Sequence, residues 1–140
     1  MKRRDFILTA AASTGAFALS PVGATAAPMA FTPGLVAKEL AAGKTVFLDF
    51  KASWCTTCAA QERVINALKA ANPAYEQHIT FIDVDWDDYG RHAFTKGLNI
   101  PRRSTLVVLK GDQELGRIVA QTGESEIKAL MDTALDAAGM

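Results

Sequence analysis

The chain of 140 residues has two cysteines, Cys55 and Cys58, and both fall in one run, Trp54-Cys55-Thr56-Thr57-Cys58. Thiols this close can close and reopen a disulfide without tying distant parts of a fold together, so their role is chemical. A small secreted scaffold would instead spread four or more cysteines along its length. If the pair opens a helix, the free N–H groups and dipole at that end stabilise a thiolate. The Cys55 thiol then ionises below the free value of ~8.5 and is the nucleophile. Cys58, one turn further in, is placed to attack a mixed disulfide formed by Cys55 and acts as the resolving thiol. Half-sites of structural zinc share the spacing, but zinc needs two more ligands. The candidates are His78, His92 and scattered carboxylates, none at a matching interval. Thr56-Thr57 brings no positive charge between the cysteines, so a mid-range to reducing potential is expected, fitting a thiol reductant better than a strong oxidant.

The elements that must hold this pair can be read from hydrophobic periodicity. Pro28, Pro33 and Gly34 punctuate an entry segment, and Leu35–Leu40 predicts a short helix ending at Gly43. Thr45–Phe50 is β-branched and aromatic, a buried strand. From Cys55 to Ala71 the pattern turns helical, with Val64, Ile65 and Leu68 on one face and Asn72-Pro73 as the stop. Ile79–Val84 predicts a second strand, about Asp88 to Lys96 a polar helix closed by Gly97, and Thr105–Leu109 a third strand. Lys110-Gly111-Asp112 turns the chain into Glu114–Ala120, completing a hairpin, and Ile127, Leu130, Met131, Ala134 and Leu135 mark an amphipathic last helix. The order β-α-β-α-β-β-α asks for an α/β domain, a parallel front half with a crossover helix and an antiparallel hairpin behind it.

Ahead of this domain, Lys2-Arg3-Arg4-Asp5, the apolar run Phe6–Leu19 and Ala24-Thr25-Ala26 have the three-part form of an export signal, with cleavage expected after Ala26. Residues 1–26 are thus assigned to the signal and 27–140 to one domain. The apolar run falls short of the ~20 residues that span a bilayer. Arg3-Arg4-Asp5-Phe6-Ile7 resembles the twin-arginine signal, which implies a bacterial source and export in the folded state. No cysteine follows the run to carry a lipid, so the expected destination is the periplasm, in soluble form with no stable membrane insertion. Basic and acidic residues number 15 each, and no basic stripe exists to hold a phosphate backbone, which speaks against nucleic-acid binding.

The segment Leu48-Asp49-Phe50-Lys51-Ala52-Ser53-Trp54-Cys55-Thr56-Thr57-Cys58 resembles the active-site segment of thioredoxins. It is closer still to the periplasmic thioredoxin domain of the transmembrane electron transporter of the Dsb system. Thr105–Asp112 resembles the strand and turn that follow the thioredoxin cis-proline, and the likeness extends over about Thr45 to Leu135. It implies a thioredoxin fold, a central mixed sheet of about four strands flanked by helices. It also implies a thiol–disulfide oxidoreductase acting on disulfides of exported proteins and recharged by a membrane electron transporter. The redox-active Cys55–Cys58 disulfide would be its working group, with no other cofactor and no metal.

By the same resemblance Asp49 falls on the buried acid beneath the site, where apolar surroundings raise its pKa and let it relay a proton for the resolving thiol. The competing reading is an aspartate capping a strand end at the surface. Trp54 falls on an apolar platform for the partner chain, against the alternative of a core aromatic. Lys51 takes a place often aromatic. Aligning the Thr105 strand puts Ser104 where the family carries its cis-proline; the alternative, Pro101, would insert three residues before the strand and lengthen the interval to the Gly111 turn. A cis bond before a residue other than proline costs ~3–4 kcal/mol, so Arg103–Ser104 is expected to be trans or strained. The loop then offers a hydroxyl that can hydrogen-bond a thiolate. Arg102 and Arg103 beside it would lower the Cys55 pKa and favour acidic partners, or else are solvated loop charges. Without the ring a soft metal ion could approach both thiolates, so a periplasmic copper(I) carrier using the same cysteines is the alternative function. A third reading is an adaptor in which the pair is vestigial.

Overall fold

Every residue from Thr45 to Phe50 is buried, as a β-branched and aromatic run must be when both faces of its strand are covered. This strand is the centre of the molecule. The structure, a computed structural model, describes residues 26–139. The expected export signal lies outside the described residues except for Ala26. In chain order the elements are β1 Met29–Ala30, α1 Leu35–Ala41, β2 Thr45–Lys51, α2 Thr56–Ala71, α3 Ala74–His78 and β3 Ile79–Asp85. There follow α4 Trp86–Tyr89, α5 Ala93–Gly97, β4 Thr105–Lys110, β5 Gln113–Val119 and α6 Glu124–Ala137.

The sheet runs β1-β3-β2-β4-β5, parallel from β1 to β2 and antiparallel from β2 to β5. The α/β class and the mixed sheet are as expected, but there are five strands where about four were. The extra one, β1, has two residues, too short for any alternation to be legible, and it exists because β3 offers it a parallel partner. Alternation along β2 sorts the core into two layers. Phe47 faces Leu68 of α2 and Ile127 and Met131 of α6, while Val46, Leu48 and Phe50 face Val36 of α1 and the Phe94 ring of α5. At the hairpin the backbone turns through Gly111 at φ 59°, a conformation that costs glycine least.

Two local expectations need correction. The helix expected over about 88–96 is two short helices: the first ends at Gly90, and His92 starts the second by accepting the Phe94 N–H at its ring nitrogen. The segment after Pro73, read only as a stop, makes the further helix α3, anchored by buried Tyr75. No described helix is long and apolar enough to cross a membrane.

Candidate functional site

Cys55 is the N-cap of α2, in extended backbone at φ −87°, ψ 111°, and its sulfur accepts the Cys58 N–H at 3.1 Å. The sulfur thus occupies the position where a helix start offers an unpaired N–H to an anion. The loop leading in is tight, with the Cys55 N–H donating to the Ala52 carbonyl at 3.1 Å. Cys55 and Cys58 are joined as a disulfide with a Cα–Cα separation of 5.2 Å, and both are buried beside Ala52 and the Trp86 ring.

The opposite wall is Ser104, which has no exposed surface and whose hydroxyl lies 3.1 Å from the sulfurs of both cysteines. No described peptide bond is cis, so Arg103–Ser104 is trans. Its strain lies elsewhere, in a left-handed φ of 63°, which costs a residue other than glycine about 1–3 kcal/mol and persists only where the surroundings over-determine it. Three hydrogen bonds do so. The Ser104 N–H donates to the Phe50 carbonyl at 2.7 Å, and its own carbonyl accepts from the Ala120 N–H at 2.8 Å and from Gln61 Nε2 at 3.1 Å.

Trp54 is 57% exposed, which disposes of the core-aromatic reading. Its indole N–H donates to both carboxylate oxygens of Asp87 at 3.1 and 3.0 Å, and the Arg103 guanidinium lies 4.4 Å from the ring centroid. Arg103 is therefore stacked on the tryptophan instead of standing free in solvent. Arg102 Nε donates to the Arg103 carbonyl at 3.1 Å, and Thr105 Oγ1 to the Arg102 carbonyl at 2.7 Å, so the loop is tied along its length. In the acidic stretch 85–88, the Asp85 side chain caps α4 by accepting the Asp87 and Asp88 N–H groups, and Asp87 holds Trp54.

Asp49 is buried in β2, so it is not a surface cap, and no hydrogen bond links it to either sulfur. It borders a cavity of about 20 Å³, room for one water, together with Lys51, Glu62, Lys69 and Asp83. Burial strips its carboxyl of water and Asp83 adds repulsion, which Lys51 only partly offsets, so its pKa rises from 3.8 to about 7. Lys51 Nζ sits 3.0 Å from Glu62 and 3.6 Å from Asp83. Burial would lower the Lys51 pKa, but Asp49, Asp83 and Glu62 outweigh it and push it up. Lys69 is nearly fully covered, 3.7 Å from Glu76 and 3.9 Å over the Phe81 ring, and burial pushes its pKa down.

Of these charges, Asp49 was singled out from sequence and Lys51 was noted without a role, whereas Glu62, Lys69 and Asp83 were not. A signal existed: Asp49 and Lys51 are two apart on one face of β2, and Asp83 is the register partner of Asp49. Gln61 was missed as well, although it stands with Ile65 and Leu68 at helical spacing in an otherwise apolar stripe.

The model of the thioredoxin family, described as "Thioredoxin", matches residues 30–133, well over half of the chain. The chain belongs to the thioredoxin family. It is 34% identical over 77 residues to a "Thioredoxin H-type" of Fagopyrum esculentum, covering 55% of this chain and 61% of that protein. It is 30% identical over 90 residues to "Thioredoxin H2-1" of Oryza sativa subsp. japonica, covering 64% of this chain and 60% of that protein. The chain thus spans about three-fifths of the length of these two thioredoxins. Among solved structures it is similar to Trxlp of Edwardsiella tarda, with a TM-score of 0.64 and 26% identity over 74% of this chain and 98% of that one. A Malassezia sympodialis thioredoxin shares the fold, with a TM-score of 0.66 at 21% identity over 78% of this chain and 91% of that one. As a thioredoxin, the chain departs from the expected family pattern at the wall facing its cysteines, where Ser104 stands in a trans, left-handed backbone.

Proposed function

We propose that this thioredoxin is a thiol–disulfide oxidoreductase acting on disulfides of exported proteins through Cys55 and Cys58. The observation that carries the reading is the disulfide across the N-cap of α2, with the Cys58 N–H donating to the Cys55 sulfur at 3.1 Å and the Ser104 hydroxyl 3.1 Å from both sulfurs. In the reduced protein those donors favour the Cys55 thiolate. The thiolate attacks one sulfur of a substrate disulfide, and the other leaves as a thiolate, giving a mixed disulfide. Cys58 loses its proton and attacks the Cys55 sulfur, releasing the second substrate thiolate. The substrate gains two electrons and the protein keeps the Cys55–Cys58 disulfide. Asp49, ionising near pH 7, is the group suited to take the Cys58 proton. Trp54, exposed and held from both sides, serves as the apolar platform for the partner chain, and Arg103 on its face favours acidic partners.

The export setting is supported by the charged, apolar and small-residue succession of residues 1–26, read as a twin-arginine signal, which leaves 27–140 as a soluble periplasmic domain. The likeness of residues 48–58 to the Dsb electron transporter supports a membrane electron transporter as the source of reducing equivalents. No nucleic acid, membrane insertion or further cofactor belongs to the reading. The copper(I) alternative is favoured by one observation, the Ser104 hydroxyl at equal distance from both sulfurs with no ring between. One experiment separates them. The mature domain is given a thiol reductant and insulin, with and without copper(I). Turnover that drops at least 100-fold in Cys55→Ser supports the oxidoreductase; no turnover with tight one-to-one copper(I) binding overturns it in favour of the carrier.

A further inference from the structure

Ser104 holds a backbone conformation that a serine does not choose by itself, and one side chain outside the recognised site is committed to keeping it there. Gln61 lies in α2 one turn beyond Cys58 and has no exposed surface. Its Nε2 donates to the Ser104 carbonyl at 3.1 Å and to the Gln121 carbonyl at 2.9 Å. An amide nitrogen has two N–H groups, so both are used, and the two carbonyl acceptors fix which end of the amide faces them. Its Oε1 is buried with no hydrogen-bond partner among the described residues. A side chain kept only for packing at this point in an apolar stripe would be leucine or methionine, which leave no oxygen stranded.

We infer that Gln61 is a positioning residue for the redox pair, a clamp that ties α2 to the Ser104 loop and to the segment that follows β5 and so holds the Ser104 hydroxyl against both sulfurs. The inference rests on the oxidoreductase reading for its purpose but not for its geometry. Where a proline ring would set the loop by its own fixed torsion, this chain uses a hydrogen bond from Ser104 to the Phe50 carbonyl and two donated to Ser104 by Ala120 and Gln61. Of the three, only that from Gln61 comes from the helix that carries Cys58. Beside the Ser104 hydroxyl's own contacts with the sulfurs, it is this amide that ties the loop backbone to α2.

The test measures the Cys55 thiolate directly, by its ultraviolet absorbance against pH in the reduced chain, so that it needs no substrate. Ser104→Ala is expected to cost about tenfold in thiolate at a given pH, an upward pKa change of about one. Gln61→Met in the otherwise unchanged chain is expected to cost about threefold, with the potential falling by about 15 mV at ~30 mV per tenfold. In the Ser104→Ala background, Gln61→Met should change neither quantity. An unchanged pKa in folded Gln61→Met, or the same change in both backgrounds, overturns the inference. Should Gln61→Met fail to fold, the unsubstituted chain decides by NMR. Both Gln61 Nε2 protons should exchange slowly and shift when the disulfide is reduced; fast exchange, or indifference to redox state, overturns it. Lack of insulin turnover in the unsubstituted chain would count against the proposed function alone.

Discussion

Replacing Asp49 by asparagine keeps the shape and removes the charge, and it should make the protein more stable at alkaline pH while leaving it unchanged at acid pH. The carboxyl ionises at about 7 in the folded chain against 3.8 when unperturbed, because burial removes its water and Asp83 repels it. Below pH ~4 both states carry the proton and the group contributes no pH dependence. Between ~4 and ~7 the unfolded chain releases its proton while the folded chain retains it, so stability falls as pH rises, by ~1.4 kcal/mol per pH unit. Above ~7 the loss levels off. The interval from 3.8 to about 7 corresponds to about 4 kcal/mol at ~1.4 kcal/mol per unit. That is a large fraction of the 5–15 kcal/mol typical of a domain. Urea unfolding of both proteins at pH 3.5, 5, 6 and 8.5 reads this directly. The stability curves should coincide at the lowest pH and separate by about 4 kcal/mol at the highest, with Asp49→Asn above. Parallel curves would refute the assignment of a neutral buried carboxyl to Asp49. Separation growing toward acid pH would reverse its sign.

Two further outcomes follow from the same geometry. Lys51→Met removes the positive charge that does most to hold the Asp49 pKa down, so the pH window over which stability falls should extend above 7, read from the same urea series; a window that stays in place would show that Lys51 does not act on Asp49. Ser104→Pro, which brings in the residue expected of the family, should destabilise by about 3 kcal/mol or more, since proline requires φ near −65° and has no N–H for the Phe50 carbonyl. A urea midpoint equal to the parent's would show that the loop refolds around the ring at no cost.

The centre of the site was legible in the sequence because its signals are local. A strand of six inward residues, a four-residue loop and a helix opening on Cys55 lie in one short stretch, and periodicity fixes each. Asp49 could be placed inside because Leu48 and Phe50 flank it. Ser104 could be singled out because the strand that follows it aligns with a known pattern, but its left-handed torsion could not, since that arises from partners on β2, on α2 and just after β5. The charged group around Asp49 was hidden for the same reason: Glu62 and Lys69 come from α2, Lys51 from β2 and Asp83 from β3, and only the register of the parallel pair brings them to one cavity. The division of residues 86–97 into two helices turned on a histidine used as a cap, which propensity does not foresee.

The torsion at Ser104 also bears on how such a site can change over descent. A serine in a left-handed backbone and a proline in a cis one are separate solutions to the same wall. The step between them is not one substitution, because the ring is rejected by the backbone that suits serine and the hydroxyl has no clamp in the backbone that suits proline. Gln61 and Ser104 are therefore expected to be inherited as a pair. A lineage that acquired both would be held there by the destabilised intermediates on either route back, with its redox chemistry free to drift only within the range that a hydroxyl allows.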